Sequence, residues 1–133
     1  MQPKLPQSLF MSSISGMRML RSIRDQHFDA ISIWPFDEID NKRSVVVEIF
    51  PRYFPCSKGL RANLIDHNSL NAALLAFGSE PVDKTPSSED EGDALLSAAA
   101  LRYLSNCESL FQFPHAAARQ EGWIFGVPFG GAQ

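Results

Sequence analysis

Apolar residues recur every three positions at Ile14, Met17, Leu20 and Ile23, with Arg18, Arg21 and Arg24 between them. This spacing predicts a short amphipathic helix over about 13–26, with Ser13 or Ser15 available as its cap. Ahead of it, residues 1–13 contain Pro3, Pro6 and three serines and read as an irregular lead-in. Phe28–Phe36 (FDAISIWPF) is rich in β-formers, and Pro35 should end its ladder or place it at an edge. Ser44–Phe50 (SVVVEIF) is the clearest strand, its near-continuous apolar run indicating burial on both faces. Only the polar stretch Asp37–Arg43 separates these two runs, so the economical connection is an antiparallel hairpin.

The pattern then turns helical. Pro51 and Pro55 break the chain, and Leu60, Leu64, Leu70, Ala73, Leu74 and Phe77 mark a helical stretch over 58–77 that His67-Asn68 divides in two. Gly78 is placed to stop it. After a Pro- and Ser-containing loop over 79–88, Ser88-Glu89-Asp90-Glu91 fits a capping box that opens a helix through Leu104. The small residues Ser97, Ala98, Ala99 and Ala100 are expected to let that helix pack closely on a sheet. A loop containing Pro114 leads to Gly122–Val127 (GWIFGV), a short terminal strand or extended segment.

Length and composition narrow the class. A chain of 133 residues with 44% hydrophobic and 20% charged positions suits one globular domain spanning 1–133. The net charge of −3 supplies no global basic field for nucleic acid. The arginine stripe at 18, 21 and 24 offers a local basic patch, but it reads first as a solvated helix face. Cys56 and Cys107 show neither a disulfide-scaffold nor a zinc pattern and read as reduced thiols of a cytoplasmic protein. His27, His67 and His115 have no ligand spacing. No apolar run approaches the roughly 18 residues of a membrane span, and the first ten residues lack the apolar core of a signal peptide.

The candidate chemistry is acidic. Asp90 and Asp93 stand three apart near a helix start, which puts both carboxylates on one face. Converging carboxylates hold Mg²⁺ or Mn²⁺, and a pair of such ions can cleave a phosphodiester. Glu48 interrupts an apolar strand and must reach a cation, a donor or the sheet's end. Plainer explanations exist for each: acids in a first helical turn meet the helix dipole favourably, and a strand-end glutamate commonly faces solvent. Trp34 and Trp123 read as packing residues rather than base-stacking platforms. There is no glycine-rich phosphate loop, since Gly130-Gly131 has no helix after it.

Four motifs occur in order: VVVEIFP (Val45–Pro51), Lys58-Gly59, D-x-x-D-A-L (Asp90–Leu95) and EGWIFGVP (Glu121–Pro128). Together they resemble the C-terminal half of an uncharacterised family of predicted ribonuclease H-like nucleases. They are more distantly similar to RuvC-type junction resolvases. Ser15-Gly16-Met17 and Trp34-Pro35-Phe36-Asp37 fit the same family. The resemblance implies an α/β, partial ribonuclease H-like fold: a small mixed sheet, made of a hairpin plus a C-terminal strand, flanked by helices over 14–128. It also implies that Asp93, and secondarily Asp90, bind metal, while Glu48 occupies a family position of unassigned role. Residues 1–27 contain no G-x-D or I-D-x-P strand, and Asp25 is their only acid. The first wall of a metal cage is therefore expected to be missing. Two functions compete, and a third, a small-molecule binding protein with an apolar pocket, has only the aromatic richness behind it. One is a non-catalytic module acting through a homodimer or another partner. The other is a Mg²⁺- or Mn²⁺-dependent nuclease using Asp93, Asp90 and Glu48, with the missing acids supplied by another chain.

Overall fold

A computed structural model describes residues 7–40, 42–61, 63–107, 111 and 116–128, with side chains from residue 14 onward. The loop at Pro114, His115 and the glycines at 130–131 lie outside the described residues. Within them the chain is mixed α/β, with five helices and a two-stranded sheet. It separates into two compact units, Met1–Val46 and Val47–Gln133. The boundary falls inside the apolar run Ser44–Phe50, which therefore does not form one strand.

Unit 1 begins with α1, Gln7–Gln26, which starts six residues before the expected position, so 7–13 are helical rather than an irregular lead-in. Strand β1 (Ile31–Ile33) and strand β2 (Ser44–Val46) are each only three residues long. They pair parallel, with Ile31 opposite Ser44 and Ile33 opposite Val46. The expected antiparallel hairpin is thus not formed. The reason lies in the connection, which reverses twice. A first turn brings the N–H groups of Phe36 and Asp37 to the Ile33 carbonyl, while the Asp37 carboxylate accepts from Ile33 N–H at 2.8 Å. A second turn forms at Asp40, whose carboxylate accepts from Lys42 N–H at 2.7 Å. Ten connecting residues can span roughly 33 Å, several times the length of a three-residue strand, so the chain has ample reach to return to its starting side. Ser32, fully buried, donates its hydroxyl to the Glu38 carbonyl and ties the returning loop to β1. Trp34 is buried, as expected of a packing residue.

Unit 2 is built on helices. Helix α2, Tyr53–Ser57, contains Pro55 in its first turn, where a missing N–H breaks no helical bond. The prolines therefore do not hold off the helix, and residues 58–66 are largely irregular instead. Helix α3 (His67–Ala76) is capped by Asp66, whose side chain accepts from Ser69 N–H at 2.8 Å. It ends where the sequence predicts. Gly78 adopts φ +65° and donates to Leu75 O, and Ser79 donates to Leu74 O, a Schellman pair that needs a residue free of Cβ crowding. Helix α4 (Glu89–Leu104) is capped by the Ser88 side chain, which accepts from Glu91 N–H. The Glu91 carboxylate reaches back one residue further than a capping box requires, accepting from both N–H and hydroxyl of Ser87 at 2.6 Å.

The core of unit 2 lies between α2, α3 and α4. Phe54, Leu64, Leu70, Ala73, Leu74, Phe77, Leu96, Ala99 and Ala100 are buried together. On α4 the buried residues Gly92, Leu96, Ala99 and Ala100 follow helical spacing, and Ala99 and Ala100 join the α3 residues in the core, so the small residues meet a helix and not the expected sheet, while Ala98 is exposed. Phe54 meets Phe77 edge to face at 6.0 Å, and Phe77 meets Tyr103 in the same way at 5.6 Å. The Lys58 ammonium sits 4.9 Å from the Tyr103 ring centre and 5.4 Å from that of Phe77. Helix α5 (Ala116–Glu121) precedes the last described segment. Gly122–Val127 is not a strand: Ile124 makes an isolated parallel bridge to Glu48, and the segment then turns.

Candidate functional site

Helix α4 positions the acidic residues singled out in the sequence. Its cap at Ser88 fixes the helix start, so Asp90 lies in the first turn and Asp93 one turn on. Asp90 points to solvent, whereas Asp93 is half-buried and lines a cleft of about 220 Å³ with Arg52, Asn63, Leu64 and Glu89. One wall of that cleft is set by an unusually close approach. Gly92 packs so tightly on Leu64 that a Cβ at position 92 would lie 2.5 Å from the Leu64 carbonyl oxygen. The cleft lining also carries an ion pair from Arg52, just before α2, to Glu89 at 2.9 Å. Both partners are more than half exposed, so the pair contributes under about 1 kcal/mol. Among the described residues Asp93, the other carboxylate of the cleft, forms no such ion pair.

Glu48 is brought elsewhere. Its side chain is exposed, and its structural part is played by the backbone, whose carbonyl accepts from Phe125 N–H at 2.8 Å. The two ends of the motif set therefore meet as packing. Ile124 and Phe125 meet the backbone of Glu48, Phe125 is buried, and the glutamate side chain stays in water. Trp123 is half-buried and donates its indole N–H to Val127 O at 2.9 Å, which is the packing role expected of it. Among the described residues, no three His, Cys, Asp or Glu side chains are grouped to hold a metal ion.

Two acids elsewhere are tuned by hydrogen bonds. The Ser87 hydroxyl and N–H hold Glu91 below the usual carboxylate range, and Ser69 does the same for Asp66. Both serve helix starts.

Unit 1 presents a different kind of surface. A groove of about 350 Å³ is lined by Met17, Leu20, Ile33 and Phe36, with Arg21, Arg24 and Asp25 at its rim. Met17 is 64% exposed, Phe36 48% and Phe28 71%, so large apolar side chains face water here. The arginine stripe is partly neutralised, since Arg24 pairs with Asp37 and Arg21 with Asp25, while Arg18 is exposed. Of these residues, Phe36 belongs to a run the sequence reads as a strand, and Arg52 and Asn63 lie between elements. Their only early signal is the P-F-D turn chemistry at 35–37 and the prolines flanking Arg52.

Among the described residues no helix is long and apolar enough to cross a membrane. In comparisons with protein-family models, curated proteins and solved structures the chain finds no match, so the reading of its surfaces rests on its own residues.

Proposed function

We propose that this chain is a non-catalytic, partial ribonuclease H-like module that acts by associating with a second copy of itself. The observation that carries the proposal is the apolar groove of unit 1, whose lining residues Met17 and Phe36 are 64% and 48% exposed. Its neighbour supports the same reading. A parallel pair of three-residue strands is too small a sheet to be stable unaided, and among the described residues neither strand has a second partner. The ribonuclease H-like part of the proposal rests on the order of the four motifs. The experiment is sedimentation velocity at micromolar concentration. A species of twice the chain mass is expected, reduced to one chain mass by Phe36→Asp; a wild-type monomer throughout would refute association.

A second reading has Asp93 in its favour, because it stands in a cleft beside Asn63 and Glu89. In that reading the chain is a Mg²⁺- or Mn²⁺-dependent nuclease whose remaining acids come from another chain. Mn²⁺ would then raise the melting temperature and support cleavage of branched DNA or RNA/DNA hybrid, and Asp93→Asn would abolish both. No effect of Mn²⁺ on either measurement removes this reading.

A further inference from the structure

We infer that the groove of unit 1 receives the same groove of a second copy, set antiparallel about a twofold axis and held in register by Arg21 and Asp25. This rests on the self-association reading and adds to it the geometry of the pairing. The groove floor is apolar, from Met17, Leu20, Ile33 and Phe36, so it calls for an apolar occupant. Its rim decides which one. Arg24 is matched inside the copy by Asp37. Arg21 and Asp25 remain, one helical turn apart on α1, with side chains 86% and 69% exposed and 3.8 Å between them. Such an exposed pair within one helix is screened and contributes little.

A rim carrying one cation and one anion has no net charge with which to draw a nucleic acid backbone or an acidic peptide. It is, however, complementary to itself. A twofold axis perpendicular to α1 reverses the order of the two charges, so Arg21 of each copy approaches Asp25 of the other. Two weak pairs within the helices are thereby exchanged for two pairs across the interface around an apolar centre, and a parallel arrangement, which sets like charges together, is disfavoured.

Charge variants test this directly. Arg21→Glu makes these two positions wholly acidic and Asp25→Arg wholly basic; both sites are exposed, and far-UV circular dichroism checks that each variant keeps its helices. Each variant alone is expected to dimerise about tenfold more weakly than wild type. An equimolar mixture of the two, followed by native mass spectrometry, is expected to form the heterodimer in preference to either homodimer. The double swap Arg21→Glu/Asp25→Arg is expected to restore the homodimer. A monomeric wild type overturns the association reading itself. A wild-type dimer whose single variants dimerise unchanged, or fail to pair in the mixture, overturns only the antiparallel register.

Discussion

Gly92 on α4 lies against the backbone of Leu64 so closely that a Cβ there would stand 2.5 Å from the carbonyl oxygen and 3.0 Å from the Leu64 Cβ. Glycine at a helix interior ordinarily costs about 1 kcal/mol relative to alanine. Here the contact reverses the usual preference, because the atom in the way belongs to the backbone and cannot swing aside.

Gly92→Ala is therefore expected to destabilise the chain by about 1–2 kcal/mol, the overpacking penalty exceeding the gain in helix propensity. Gly16→Ala on α1, where nothing lies within 4 Å of the new methyl, should be neutral or stabilising. Urea denaturation followed by circular dichroism compares the two. Equal or greater stability of the Gly92 variant would show that α4 does not pack this closely on Leu64.

Removing the ring of Phe54, 2% exposed and in edge contact with Phe77, should cost about 3–5 kcal/mol as Phe54→Ala. Leu75 projects from α3 into water at 60% exposure, and Leu75→Ala should stay within about 0.5 kcal/mol of wild type. The same denaturation measurement decides; comparable losses at both positions would place the core elsewhere.

The Asn71 side chain fastens the loop after α3, accepting from Val82 N–H at 2.8 Å and donating to Val82 O at 3.1 Å, where His67 Nε2 also approaches to 2.8 Å. Asn71→Leu keeps the bulk and removes both bonds, so a loss of about 1–3 kcal/mol is expected, together with faster amide exchange at Val82. Unchanged exchange at Val82 would contradict the bonding.

Acid should loosen two helix starts. Asp66 and Glu91 are held below their ordinary values in the folded chain, by Ser69 and Ser87 respectively. Their contribution to stability is therefore complete above the ordinary carboxylate range and is lost as the pH falls through their lowered values. Glu91→Gln should flatten part of that acid loss in a series of melting temperatures against pH. A variant as acid-sensitive as wild type would mean that Glu91 is not tuned by Ser87.

The helix ends were legible because their determinants are local. Ser88 before α4 and Gly78 after α3 each act on backbone groups two to four residues away, which a linear reading can see, whereas the Asp66 cap of α3 was not read from the sequence. The start of α1 was missed, since three serines and two prolines suggested irregularity while Leu9, Phe10 and Met11 continue an apolar pattern. Helix α5 was missed too, being short and following a proline.

What lay beyond the linear pattern was direction and destination. Nothing in SVVVEIF says that its first three residues join β1 while Glu48 meets Ile124, because both choices satisfy the same alternation of side chains. Parallel pairing followed from the second turn at Asp40, and one extra reversal exchanges one sheet topology for the other without altering either strand's composition. The acids behave alike: helical spacing puts Asp90 and Asp93 near one another, but only packing turns Asp93 into a cleft and leaves Asp90 and Glu48 in water. Capping is decided by hydrogen bonds within a turn of the helix, whereas convergence of distant side chains depends on how the whole core closes, and that information is spread over every residue that fills it.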